Sequence, residues 1–143
     1  MKNLTTKMMI AAATLVAAAG VASAQSMEAN VPFAFRANGQ VFAAGTYRID
    51  LHNTGMGNTI VAIRGAGSGK QILTPSYPDG DAKSAWQSEG KAMLSFECGV
   101  SRCALAKVWA GSGAVTLRLP TPKLGKDEPT HTAEVVMHPV KGD

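Results

Sequence analysis

Thr46-Tyr47-Arg48-Ile49-Asp50-Leu51-His52 is a strict period-two stretch. Tyr47, Ile49 and Leu51 fall on one side of an extended chain, and Thr46, Arg48, Asp50 and His52 fall on the other. Such alternation buries one face of a strand and wets the other. The same period recurs upstream, where Met27, Ala29, Val31, Phe33 and Phe35 share a face opposite Glu28, Asn30 and Arg36. Pro32 lacks a backbone donor, so an edge or a bulge is expected inside that run. Asn38-Gly39 suits the positive-φ geometry of a tight hairpin turn, after which Val41 and Phe42 resume the extended chain.

Downstream, residues 53–58 are turn material, 59–64 a β-branched run, 65–69 a glycine-rich connection and 71–74 a short strand. Residues 75–90 are the longest stretch without a regular period and are read as a loop, the first place to look for a site. Residues 91–97 and 103–109 form a hairpin around the turn at 99–102. In the simplest register Cys98 opposes Cys103, Phe96 opposes Leu105 and Ala92 opposes Trp109, with Lys107 spoiling the apolar face opposite Leu94. Residues 115–119 alternate again, 120–131 read as an irregular crossover, and 132–137 as the last strand. With no convincing helix, the expected fold is all-β: a small β-sandwich or partly open barrel of about eight short antiparallel strands.

Residues 1–24 read as a cleavable export signal. Lys2 and Lys7 form a basic start, residues 8–21 an apolar stretch, and Ala22-Ser23-Ala24 the small-residue cleavage site. The apolar run is too short and too rich in alanine for a stable membrane span. Cleavage between Ala24 and Gln25 would leave one domain, residues 25–143, in the periplasm or outside the cell. No cysteine follows the cut, so lipidation there is not expected. Lys2 and Lys7 leave with the signal, lowering the net charge from +4 to +2. With no basic cluster, nucleic acid is not an expected partner, and no second apolar segment is long enough to integrate into a membrane.

An oxidising compartment makes a Cys98–Cys103 disulfide the expected state of the two cysteines. Redox-active pairs instead have two intervening residues at a helix start. No metal or other cofactor is expected: His52, His131 and His138 lack ligand spacing with one another or with the cysteines. Asp79 and Asp81 place carboxylates at i and i+2, as a calcium loop does, without the full alternating acidic pattern. Ser68 and Ser112 lie between glycines but lack the nucleophile-elbow sequence, and residues 65–70 fall one residue short of a phosphate loop. Scattered carboxylates always allow some glycosidase-like pair, so they carry no information. Tyr77 and Trp86, in the long irregular stretch, are candidate sugar-stacking rings. Trp109, in the apolar phase of its strand, is expected in the core.

Val31-Pro32-Phe33-Ala34-Phe35, a short hairpin, and then Ala44-Gly45-Thr46-Tyr47 resemble the opening of a family of small exported acidobacterial β-rich proteins. Those read VPF-x-F, a glycine turn and AG-x-Y directly after a signal peptide. The hairpin from Leu94 to Trp109 is similar to their second half. The resemblance implies a secreted β-rich domain and brings no activity with it. The cysteine pair and the histidine-containing C-terminal segment are not part of that pattern.

These readings point to a non-enzymatic exported β-domain, a binding or structural module of the cell envelope or extracellular space. Its partners are unknown, and open strand edges would permit pairing with a partner or a second copy. The alternatives are a small glycan- or calcium-binding domain using Tyr77, Asp79, Asp81 and Trp86, and a small hydrolase.

Overall fold

The computed structural model describes residues 25–55, 57–67, 69–122 and 128–140, so the expected signal at 1–24 and Ser68 lie outside the described residues. The strands are β1 (Gln25–Val31), β2 (Phe35–Ala37), β3 (Gln40–Phe42), β4 (Gly45–Asn53), β5 (Thr59–Gly65), β6 (Gln71–Pro78), β7 (Met93–Cys98), β8 (Cys103–Trp109), β9 (Leu117–Arg118), β10 (His131–Val136) and β11 (His138–Pro139). Among the described residues one helix, α1 (Ser84–Glu89), precedes β7. The strands make a single mixed sheet, not closed, in the order β10-β7-β8-β9-β6-β5-β4-β1-β11, with β2 pairing β3 and β8.

The described residues hold eleven strands rather than about eight, because two runs are cut. The first stops at Val31, before Pro32, which has no N–H to continue a ladder, and restarts at Phe35. The last is interrupted at Met137, which is buried and donates its N–H to Ala92 O at 2.9 Å. The ladders are also not all antiparallel: β2 runs parallel to β8, with Arg36 opposite Ala104. β9 covers β8 only at Lys107 and Val108, and β2 occupies the edge left open at Ala104. The turn between β2 and β3 has the expected geometry, with Asn38 at φ 47° and Gly39 at φ 77°.

Two segments carry the sheet from one half to the other. β6 pairs with β5 through Ser76 and with β9 at Tyr77 and Pro78. β10 pairs with β7, and after Met137 the same chain pairs with β1 as β11. Strands that switch partners in this way make corners. Between the halves lies one apolar core, with Val31, Ile49, Val61 and Ile63 from one side and Leu94, Phe96, Leu105 and Val108 from the other. Phe35 links them, its ring 5.1 Å from Tyr47 and 5.3 Å from Phe96, both edge to face. The Tyr47 hydroxyl donates to Ala43 O, and burial raises its pKa. On β4, Tyr47 and Ile49 are buried as the alternation requires. Leu51 is only half-buried, however, and Asp50, on the opposite face, is buried where it accepts from Ser26 Oγ and pairs with Arg64.

The β7–β8 hairpin departs from the simple register. Cys98 faces Cys103 and Phe96 faces Leu105, but a bulge between Ser95 and Phe96 then shifts the pairing. Beyond it Ser95 faces Lys107, Leu94 faces Val108 and Met93 faces Trp109. One extra residue on a strand reverses the phase of everything after it. The bulge therefore takes Lys107 off the core face and leaves Val108 there instead. It also puts Trp109 on the outer face, against Met93 and not Ala92.

Residues 75–90 are not a loop. Residues 75–78 finish β6, and the six-residue α1 ends at Gly90, whose φ of 67° allows its N–H to reach Trp86 O at 2.9 Å. Six residues are too few to display a helical period or to be stable alone. What holds α1 is Trp86, which is buried with Ala82, Met93 and Trp109 in a second, smaller apolar cluster.

Candidate functional site

The bulge gives the outer face of β10, β7, β8 and β9 two unlike rows. The first is apolar and capped by α1. There Trp86, only 3% exposed, stacks on Trp109, and Trp109 Nε1 donates to Ala114 O at 3.0 Å. Trp86 Nε1 is buried and makes no well-aligned hydrogen bond, although it lies close enough to Glu134 to act on its carboxyl.

Lys83, just before α1, places its ammonium 5.0 Å from the centre of the Trp86 ring and ion-pairs with Glu134 on β10. The Lys83 hydrogen bond holds the Glu134 carboxyl below its ordinary pKa. Burial opposes that shift, while the nearby Trp86 indole N–H and the Lys83 charge add to it.

The second row is polar, with Ser95 buried and Arg118 and Tyr77 exposed. Glu134 lies opposite Ser95, Ser95 opposite Lys107, Lys107 opposite Arg118, and Arg118 opposite Tyr77. Lys107 Nζ donates to Asp79 Oδ2 at 3.0 Å. The turn carrying Asp79 is tied to residue 116 by Asp79 N to Thr116 O at 2.8 Å and Thr116 N to Gly80 O at 2.9 Å. Tyr77 is 52% exposed, and Arg118 is exposed with no ion-pair partner among the described residues. Asp81 lies on a neighbouring cleft of about 380 Å3, lined also by Gln87, Trp109 and Ser112.

The structure thus separates the four residues singled out in the sequence. Tyr77 projects from a strand, Asp79 is engaged by Lys107, Asp81 faces the cleft, and Trp86 is packed under α1. Tyr77 and Trp86 do not form a shared exposed platform, because the faces of Trp86 are covered by Trp109 and Lys83. Cys98 and Cys103 are joined as a disulfide, with Cα atoms 4.0 Å apart. No group of three or more metal-ligating side chains occurs among the described residues. No helix among them is long and apolar enough to cross a membrane. Arg118 escaped the sequence reading: nothing local to residues 115–119 indicates that β9 lies beside the end of β6.

Comparison with known proteins gives no match to a family model, to a curated protein or to a solved structure. The chemistry must therefore be argued from the face itself. An exposed phenol ring can lie against the apolar side of a sugar, while a neighbouring guanidinium donates to its hydroxyl or carboxylate oxygens. Both groups stand on paired strands, which limits the ordering cost of binding.

Proposed function

We propose that this chain is an exported, non-enzymatic β-domain that serves as a binding module of the cell envelope or extracellular space. The open sheet wrapped over a single core reads as a partly open barrel, with its outer face as the working surface. One observation carries the binding reading: exposed Tyr77 stands opposite Arg118, which has no ion-pair partner among the described residues. A glycan is the ligand this pair suits best. Asp79, held by Lys107, sets one border of the face and is less suited to calcium.

The test is a panel of neutral and acidic glycans presented to protein recovered from the export compartment, with calcium as a separate arm. Saturable glycan binding is expected, weakened about 5- to 10-fold by Tyr77→Ala and by Arg118→Ala. Recovered glycan should be uncleaved, which separates binding from hydrolysis. Absence of glycan binding, or binding that both variants retain, overturns the assignment of this face.

A further inference from the structure

The hairpin of β2 and β3 meets the disulfide-closed turn between β7 and β8 across a cleft of about 240 Å3. Phe35, Arg36 and Val41 line one side, and Ser101, Arg102 and Cys103 the other. Two arginines and a serine thus line the cleft, and no acidic residue lines it among the described residues. Neither Arg36 nor Arg102 has an ion-pair or side-chain hydrogen-bond partner among the described residues. A second cleft on Arg36, about 270 Å3 and lined by Asn38, Thr121 and Pro122 among others, is likewise without an acid among the described residues.

Both arginines stand on constrained backbone. Arg36 is held between Val41 of β3 and Ala104 of β8. Arg102 precedes Cys103, in a turn closed by the disulfide and by Gly99 N to Arg102 O at 2.7 Å. Glu128 also holds this turn, but its carboxylate accepts from Val100 N at 2.9 Å and not from Arg102. Two like charges lining one cleft repel each other unless an anion lies between them. A planar guanidinium offers a fork of N–H donors matched to the paired oxygens of a carboxylate or phosphate.

We propose that the Arg36–Arg102 cleft binds a multi-oxygen anion, a phosphate or carboxylate group carried by a small molecule. Arg36 and Arg102 grip the anion from opposite walls, and the Ser101 hydroxyl is available as a further donor. The disulfide keeps Arg102 facing Arg36, so the clamp orders a ligand site as well as a hairpin. The site is separate from the Tyr77–Arg118 face and does not depend on it.

The experiment is a backbone-amide NMR titration of the oxidised protein with inorganic phosphate, phenyl phosphate and benzoate, at ionic strength held constant with chloride. Saturable shifts are expected at residues 34–36, 41 and 101–103 with a phosphate or a carboxylate probe, and the tighter probe names the group. Arg36→Gln and Arg102→Gln should each weaken binding about tenfold or more, while Lys91→Gln, at an exposed charge outside the cleft, leaves it unchanged. Amide spectra of the variants show whether each is folded, and Arg102, exposed on a turn, gives a second route if Arg36→Gln disturbs β2. Non-saturating shifts, shifts spread over all basic surfaces, or binding that survives both cleft substitutions would overturn the proposal.

Discussion

Trp86 lies on Trp109 with ring centroids 6.2 Å apart and ring planes inclined by 25°. Each ring is nearly inaccessible, although neither belongs to the main core. The contact attaches the six-residue α1 to the outer side of a hairpin whose inner side is already filled. Trp86→Ala should cost about 3 kcal/mol, the lower end for removing a buried aromatic ring. Urea denaturation measures the loss. Because the Leu94, Phe96, Leu105 and Val108 face is untouched, the strand amides should stay protected while those of 84–89 exchange freely. Uniform loss of protection would show that the satellite cluster and the core are one cooperative unit.

The bulge opposite Ser95 and Phe96 decides which residues face out. Deleting Ala106 removes the extra residue and leaves an unbulged ladder in which Lys107 still faces Ser95 and Val108 still faces Leu94. The expected cost is about 1 kcal/mol, since every later side chain keeps its face and the bond from Leu119 N to Ala106 O is what goes. Chemical denaturation of the deletion variant checks this. A loss of about 3 kcal/mol or more would show that the bulge is needed for more than the phase of Lys107 and Val108.

Cys98 and Cys103 close a short loop, so their bond removes only a limited part of the unfolded chain's freedom. Reduction should lower stability by about 2 kcal/mol, as read from denaturation curves with and without reductant. Protein purified without reductant should have an intact mass about 2 Da below the reduced value, the two hydrogens lost per disulfide. Full alkylation of both thiols under denaturing, non-reducing conditions would contradict the bond.

Lys83 and Glu134 make stability depend on acidity in a definite direction. The Glu134 pKa is lowered in the folded state, chiefly by its hydrogen bond from Lys83, so the unfolded chain binds the proton more readily. The contribution is therefore complete above the usual glutamate range and disappears as pH falls through the lower, folded-state value. Both side chains are partly in water, which keeps it below about 1 kcal/mol and makes it weaken with salt. Glu134→Gln should flatten the acid limb of the stability profile, measured by denaturant midpoint against pH. A variant whose acid limb parallels the parent would place the proton linkage elsewhere.

The readings that held rest on short-range regularity. Alternation at Thr46 to His52 places Tyr47 and Ile49 inside wherever β4 lies, because side chains on a strand alternate whatever its neighbours. Asn38-Gly39 prescribes its own turn, and two cysteines flanking a four-residue connection face each other without help from distant residues. The readings that failed depended on neighbours. The period over 103–109 breaks at a bulge that only the pairing with β7 defines. The stretch 75–90 hides a strand end, paired with β9 some forty residues later, and a helix too short to announce itself.

The candidate sites show the same division. Tyr77 was legible as an unusual aromatic, but its exposure, and the burial of Trp86, follow from which side of the sheet α1 covers. Arg118 beside Tyr77, and Arg102 across from Arg36, are products of strand order alone. The amino-acid sequence by itself determined that this chain forms strands, where several of them turn, and that its cysteines meet. The tertiary structure decided which face each strand shows to water and which charges stand together. Those depend on pairings between residues far apart in the chain, and local periodicity carries no record of them.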